Sequence, residues 1–123
     1  MTPVEARRRI RTFHPDQIGR VAIKLKAMPE GNGTMLDNTL IIYLSDATEK
    51  HHGSCLEWPF ILLGGLAGRY LQYPGYGTEG HRTIANLYNT LMHAVGKPQD
   101  QFGRLDVNLA KGLQRGPLPE LLT

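Results

Sequence analysis

The stretch Thr39–Leu44, which reads TLIIYL, and the Ser45-Asp46 pair directly after it decide the expected fold. The run is continuously apolar and rich in β-branched residues. Alternating polar and apolar residues would indicate a strand with one wet face, whereas a solid apolar run is typical of a strand covered on both faces, as in a parallel sheet. A second run, Pro59–Leu63 (PFILL), precedes two glycines and predicts another buried strand.

Helices are predicted before and after these strands. Residues 14–28 carry apolar side chains at helical spacing, and Pro15 suits the first turn of a helix. A second helix is predicted after the cap residue Thr83, up to Val95. The segment Arg69–Tyr73 alternates and predicts an edge strand or hairpin arm. This order of elements predicts α/β packing, with helices covering a mostly parallel sheet and a short hairpin.

Length and charge suggest how the chain is organised. Its 123 residues suit one domain with a modest core. Residues 1–13 are expected to form a flexible basic segment, residues 14–105 the α/β domain, and residues 106–123 a tail dotted with proline and glycine. The net charge of +3 owes much to four arginines, Arg7, Arg8, Arg9 and Arg11. They are not interleaved with aromatic residues in a recognisable motif, so no nucleic-acid partner is expected.

The cellular setting is also predicted from the sequence. Cys55 is the only cysteine, so no disulfide can form within the chain. No segment approaches the roughly 18 apolar residues needed to span a bilayer. The first residues do not have the pattern of a signal peptide. We therefore expect a cytoplasmic protein without a membrane partner.

The loop that follows the first predicted strand carries the best candidates for chemistry. In an open α/β sheet, ligands bind beyond the carboxyl ends of the strands, and Asp46 stands at such an end. His51 and His52 follow before the second predicted strand begins. One carboxylate with one or two imidazoles is a candidate ligand set for zinc or another divalent ion of the calcium or magnesium class. The alternative is a polar surface loop that happens to contain two histidines.

Other polar and aromatic residues permit two interpretations each. His81 precedes the second predicted helix, where its ring could donate to a loop carbonyl or bind an anion beside the helix N-terminus. Tyr70, Tyr73 and Tyr76 surround Pro74 and could line a pocket for an apolar or sugar-like ligand, or serve ordinary packing. No P-loop, nucleophile elbow, HExxH or dinucleotide motif is present, and no catalytic residue is assigned.

The order of these motifs resembles the C-terminal region of an uncharacterised bacterial sulfatase-like family of the alkaline phosphatase superfamily. The resemblance covers about residues 14–105. It rests on the run from Met35 to Asp46, on His51-His52, Trp58-Pro59 and Leu63-Gly64-Gly65, and on the later motifs Gly80-His81-Arg82-Thr83, Asn86-Leu87-Tyr88, Leu91-Met92, Gly96-Lys97-Pro98 and Phe102-Gly103.

The resemblance implies a three-layer α/β/α sandwich, here only partial, and a metal-dependent hydrolysis of phosphate or sulfate esters in the active members. It implies Asp46 as a metal ligand, with His52 or His51 as a later one. Two features depart from that pattern. Ala47 stands where metal-dependent relatives often have histidine, and the nucleophile belongs to an N-terminal half that this sequence does not contain. Relatives are typically exported, in contrast to the expectation here.

Two functions are therefore expected. The first is a truncated sulfatase-like C-terminal domain with a partial divalent-metal site and without independent catalysis. The second is a non-catalytic interaction or assembly module. Such a module would form a homo-oligomer or pair with a complementary N-terminal domain, because half of a sheet exposes edges and apolar surface.

Overall fold

A computed structural model describes residues 1–45, 57–66 and 68–123. In these residues the chain forms two α-helices and four strands. In chain order they are α1 (Pro3–Ala27), β1 (Pro29–Glu30), β2 (Gly33–Thr34), β3 (Leu40–Leu44), β4 (Phe60–Gly64) and α2 (Ile84–Ala94). Two short 3-10 helices follow, at Lys111–Gln114 and Pro119–Leu121. Nowhere in the described ranges is a helix both long and apolar enough to cross a membrane.

The chain forms two compact units. Unit 1 consists of Met1–Ile42 with Leu62–Ala67, and unit 2 consists of Tyr43–Ile61 with Gly68–Thr123. Helix α1 and the β1–β2 pair belong to unit 1, and helix α2 belongs to unit 2. Strands β3 and β4 contribute residues to both.

The predicted parallel sheet is wrong. β1 pairs with β2 and β3 pairs with β4, in two separate antiparallel sheets of two strands each. The described residues contain no parallel sheet, so the expected α/β/α sandwich is wrong as well. The apolar runs do form β3 and β4, but none of their side chains is fully buried. A solid apolar run does not reveal how many faces of a strand are covered, and neighbouring strands can pair antiparallel without the long crossover that a parallel pair needs.

Helix α1 begins within the segment 1–13, which was expected to be flexible, and not at residue 14. Thr2 and Glu5 form a reciprocal capping box that starts it. The Thr2 hydroxyl accepts a 3.2 Å hydrogen bond from the Glu5 N–H, and the Glu5 carboxylate accepts one of 2.7 Å from the Thr2 N–H. Pro15 consequently lies inside the helix and not in its first turn.

Unit 1 has no buried side chain among its described residues. Helix α1 contacts β2, and its half-buried Ile18, Ala22 and Leu25 recur on one helical face. A close backbone approach adds a second constraint. Gly64 has φ +113° and lies against the Thr39 carbonyl oxygen, which a Cβ atom at this position would overlap. The fold of this unit therefore relies on backbone proximity more than on a core.

Unit 2 contains the buried side chains. Helix α2 follows Thr83 and ends before Val95, so the second predicted helix is confirmed. Its inward face contains Leu87 and Leu91, which with Leu118 are the buried apolar residues of the described chain. The predicted strand over residues 69–73 is wrong, because this segment has no regular secondary structure. Its Arg69 and Tyr73 side chains instead bind the C-terminal segment.

Candidate functional site

Three predicted metal ligands, Asp46, His51 and His52, lie outside the described residues. Nearby, the Trp58 indole N–H donates a 2.8 Å hydrogen bond to the Ser45 carbonyl oxygen. The reason for expecting a site at adjacent parallel strand ends no longer applies, because β3 and β4 are antiparallel. The metal site stays a prediction that rests on residue types alone.

The part of the chain that the structure describes offers no alternative metal centre. It contains no group of three or more His, Cys, Asp or Glu side chains close enough to hold a metal ion. Its two best-formed concavities lie open along the first half of α1, where Arg8 and Thr12 line both. Neither encloses a volume in which a small molecule would be desolvated.

His81 is buried and bound to the preceding loop. Its Nδ1 lies 2.9 Å from the Pro74 carbonyl oxygen. Because a carbonyl can only accept, Nδ1 must carry the proton and donate it. The ring also packs edge-on against Tyr76, with ring centroids 5.6 Å apart. Contact with a loop carbonyl is one of the two roles expected for this histidine.

Two of the three tyrosines around Pro74 donate hydrogen bonds to carboxylates. The Tyr73 hydroxyl donates a 3.1 Å hydrogen bond to Glu120, and the Tyr76 hydroxyl donates one of 2.6 Å to Asp106. Burial, together with the bond to Glu120, raises the pKa of Tyr73 to about 12. The bond to Asp106 raises the pKa of Tyr76 and lowers that of Asp106. Both phenols therefore stay protonated near neutral pH and act as donors, not as bases or nucleophiles. Tyr70 is exposed.

Arg69 makes further bonds to the same C-terminal segment. Its guanidinium donates to the Glu120 carbonyl oxygen, to the Thr123 hydroxyl at 2.5 Å and to the Thr123 carbonyl oxygen at 2.8 Å. Residues 106–123, expected to form a tail dotted with proline and glycine, thus bind the loop that precedes α2. This arrangement organises unit 2 structurally and presents no activated nucleophile.

Buried amides connect α2 to the C-terminal segment. Asn86 is fully buried, and its side-chain oxygen accepts a 2.8 Å hydrogen bond from the Thr83 N–H at the start of α2. Its side-chain nitrogen donates to the carbonyl oxygens of Arg115 at 3.0 Å and Gly116 at 3.1 Å. One asparagine therefore caps the helix and binds a distant segment. The Thr83-x-x-Asn86 spacing, a variant of the capping box, was the available sequence signal.

Asn89, Thr90 and Gln114 extend this polar core. Asn89 donates to the Asp100 and Gly116 carbonyl oxygens at 3.1 and 3.2 Å. The Thr90 hydroxyl accepts a 2.7 Å hydrogen bond from the backbone N–H of Leu118. The Gln114 side-chain oxygen accepts a 2.7 Å hydrogen bond from the Asp106 N–H, and its side-chain nitrogen donates one of 2.9 Å to the Asp106 carbonyl oxygen. No buried side-chain nitrogen or oxygen in the described residues lacks a partner, so this core is fully satisfied.

Helix α1 presents a different surface. None of its side chains is buried. Five residues form one line along the helix, which we call the α1 stripe: Ala6, Ile10, Phe13, Gln17 and Val21. Ile10 and Phe13 are each 58% exposed and Val21 is 51% exposed. At 100° per residue these five positions fall within a sector of about 80°. Ala6 and Gln17 among them are half-buried, and Lys24 lies in the same sector.

The charge on α1 is strongly one-sided. The helix contains seven arginines and lysines but only two acids, Glu5 and Asp16. Within the described residues, none of the seven forms an ion pair, since the ion pair found there joins Arg115 to Asp100 at 3.0 Å in unit 2. The helix therefore combines exposed apolar side chains with uncompensated positive charge.

Comparisons of the chain with protein-family models, with curated proteins and with solved structures gave no match. The resemblance to a sulfatase-like family accordingly stays a prediction based on sequence motifs. The surfaces of the described residues are therefore the basis for a functional proposal.

Proposed function

We propose that this chain is a non-catalytic assembly module, which completes its burial of apolar surface by binding another polypeptide chain. The observation that carries this proposal is the 25-residue helix α1, none of whose side chains is buried. An isolated helix is marginally stable in water, because most of the stability of protein helices comes from packing of an apolar face. A partner that covers α1 would supply that packing.

The balance of apolar burial supports the same conclusion. Among the described residues, three leucines are buried, whereas sixteen large apolar or aromatic side chains are exposed. Single exposed apolar side chains are normal, but aligned ones mark interaction surfaces. The aligned examples lie on α1. Each buried side chain of this size would contribute about 1.5–3 kcal/mol, so covering a few would add appreciably to a small protein's stability.

The polar sites support a structural role rather than catalysis. The tyrosines, His81 and Arg69 all bind groups of unit 2 itself. Every buried polar side-chain atom in the described ranges is satisfied internally. Enzymes tend to keep some polar groups free and oriented toward a cleft, and these residues are occupied in holding the C-terminal segment.

Light scattering combined with native-state hydrogen exchange tests this proposal. We expect either an oligomer heavier than 13.7 kDa in which α1 amides are protected, or a monomer in which they exchange rapidly. A monomer with strongly protected α1 amides would contradict the proposal, because α1 would then be stable without a partner. An oligomer with unprotected α1 would support assembly through a different surface.

The metal content of the purified protein separates this proposal from the predicted metal site. The assembly module requires no metal. About one divalent ion per chain, lost in Asp46→Ala, would favour the sulfatase-like interpretation instead, since that carboxylate is its main predicted ligand.

A further inference from the structure

We infer that the α1 stripe binds an acidic amphipathic helix of a partner protein, in a short coiled-coil contact. This inference rests on the proposed function and specifies its partner. It depends on three properties of α1, namely the spacing of the stripe, the placement of positive charge beside it and the exposure of Ile10 and Phe13.

The spacing is that of a helix–helix seam. Ala6, Ile10, Phe13 and Gln17 follow one another at steps of four, three and four residues. Val21 follows by a second step of four and leaves this alternation, so the seam spans Ala6 to Gln17. Alternating steps of this kind place side chains along the contact line of a coiled coil, and a narrow stripe is typical of such a seam. A single polar residue at a seam position, here Gln17, fixes the register of a helix pair at some cost in stability.

The charges beside the stripe specify the partner. Arg7 and Arg9 border the seam on opposite sides, whereas Arg20 and Lys24 continue its spacing beyond Gln17 and so end the apolar seam there. Residues bordering a seam form the interhelical ion pairs that select partners. Arg7 and Arg9 outnumber Asp16 at these flanking positions, so two copies of α1 would bring mostly like charges together. A partner helix with glutamates or aspartates at its flanking positions would instead neutralise them.

The distribution of apolar and basic residues on α1 favours a partner helix over a membrane surface as the binding partner. Helices that lie on membranes separate a broad apolar face from a basic face. In α1, arginines border the apolar stripe directly, and Val4 and Ile23 are exposed outside it, at 71% and 70%. The stripe is therefore too narrow and too closely bordered by charge to insert into lipid, but it suits a helix of similar width.

Fluorescence anisotropy of labelled peptides with the whole chain tests the inference. The probe is a synthetic amphipathic peptide with leucine at seam positions and glutamate at flanking positions. Two control peptides carry glutamine or lysine at the flanking positions. We expect the acidic peptide to bind most tightly, the glutamine peptide more weakly and the lysine peptide least, with acidic-peptide affinity falling as salt is added. Equal affinities, or no binding, would overturn the inference.

Matched variants localise the contact. Phe13→Ser should weaken acidic-peptide binding about tenfold or more, as expected for an aromatic anchor. Ile23→Ser, at an exposed position of the same helix outside the stripe, should change it less than about twofold. Circular dichroism of both variants checks that α1 remains helical. If the two variants behave alike, the stripe is not the contact.

Charge reversal keeps the test decisive even if Phe13→Ser disturbs the helix. The double variant Arg7→Glu with Arg9→Glu should lose affinity for the acidic peptide and gain affinity for the lysine peptide. Binding of phosphatidylserine vesicles without peptide binding would identify a membrane surface and overturn the inference. A chain that oligomerises but does not bind the peptides would overturn this inference alone and would still be consistent with an assembly module.

Discussion

Unit 1 and unit 2 use their residues in opposite ways. In unit 2, helix α2 buries five residues, of which Asn86, Asn89 and Thr90 are polar. In unit 1, the longer helix α1 buries none. The difference shows that the length and apolar content of a helix do not predict how many of its side chains are buried. Helix α2 is short but is bound by a segment that follows it in the chain, whereas α1 packs against the two-residue strand β2 without burying any of its side chains.

The first and largest expected effect tests whether unit 1 depends on backbone proximity. Gly64→Ala should lower the free energy of unfolding by at least about 3 kcal/mol, because the new methyl would overlap the Thr39 carbonyl and alanine strongly disfavours φ +113°. Urea denaturation followed by the fluorescence of Trp58, the sole tryptophan, measures it. Gly65→Ala is the matched control, since no atom lies within 4 Å of its added methyl, and should cost little. Equal effects would contradict this account of unit 1.

The second effect tests the polar core of unit 2. Asn86→Ala should lower the free energy of unfolding by about 2 kcal/mol, because the helix loses its cap and the carbonyls of Arg115 and Gly116 lose a buried donor. Chemical denaturation followed by circular dichroism measures it. Asn38→Ala removes an exposed hydrogen bond to Glu30 and should cost about 0.5 kcal/mol or less. A neutral Asn86→Ala would show that the apolar side chains alone hold unit 2.

The third and smallest effect is a pH dependence confined to unit 2. The pKa of Tyr73 is raised from 10.0 to about 12, chiefly by burial. The folded state therefore holds this proton more tightly, and the stability it contributes is present below pH 10 and is lost as the pH rises toward 12. Urea midpoints of the wild type should fall across this window more than those of Tyr73→Phe. Tyr70→Phe, at an exposed tyrosine, is the control and should behave as the wild type.

Much of the local structure could be predicted from the sequence. Thr83 and the apolar spacing after it predicted α2, and the two apolar runs predicted strands close to where β3 and β4 lie. The Thr2-Pro3-Val4-Glu5 capping box is a sequence signal for the start of α1, and it outweighs Pro15, from which a later start was expected. The burial of Gln114 had no comparable signal, since its partners lie in a segment without regular spacing.

The candidate functional residues likewise include some that were predicted from the sequence and some that only the structure revealed. Asp46, His51 and His52 were proposed from residue type and position after a strand, and their arrangement is not described. The exposed stripe on α1 was not predicted, because residues 1–13 were expected to be flexible. Its first members, Ala6, Ile10 and Phe13, align only once the segment is helical.

The residue order of this protein dictates where its helices and strands begin and end, because caps, prolines and apolar spacing act over a few neighbouring positions. Tertiary contacts alone decided that β3 and β4 pair antiparallel, that three amides and a threonine are buried in unit 2, and that no side chain of α1 is buried. The physical reason is the distance along the chain over which each interaction acts. Pairing direction and burial depend on partners far away in the chain, and an apolar or amide side chain is equally suited to several of them.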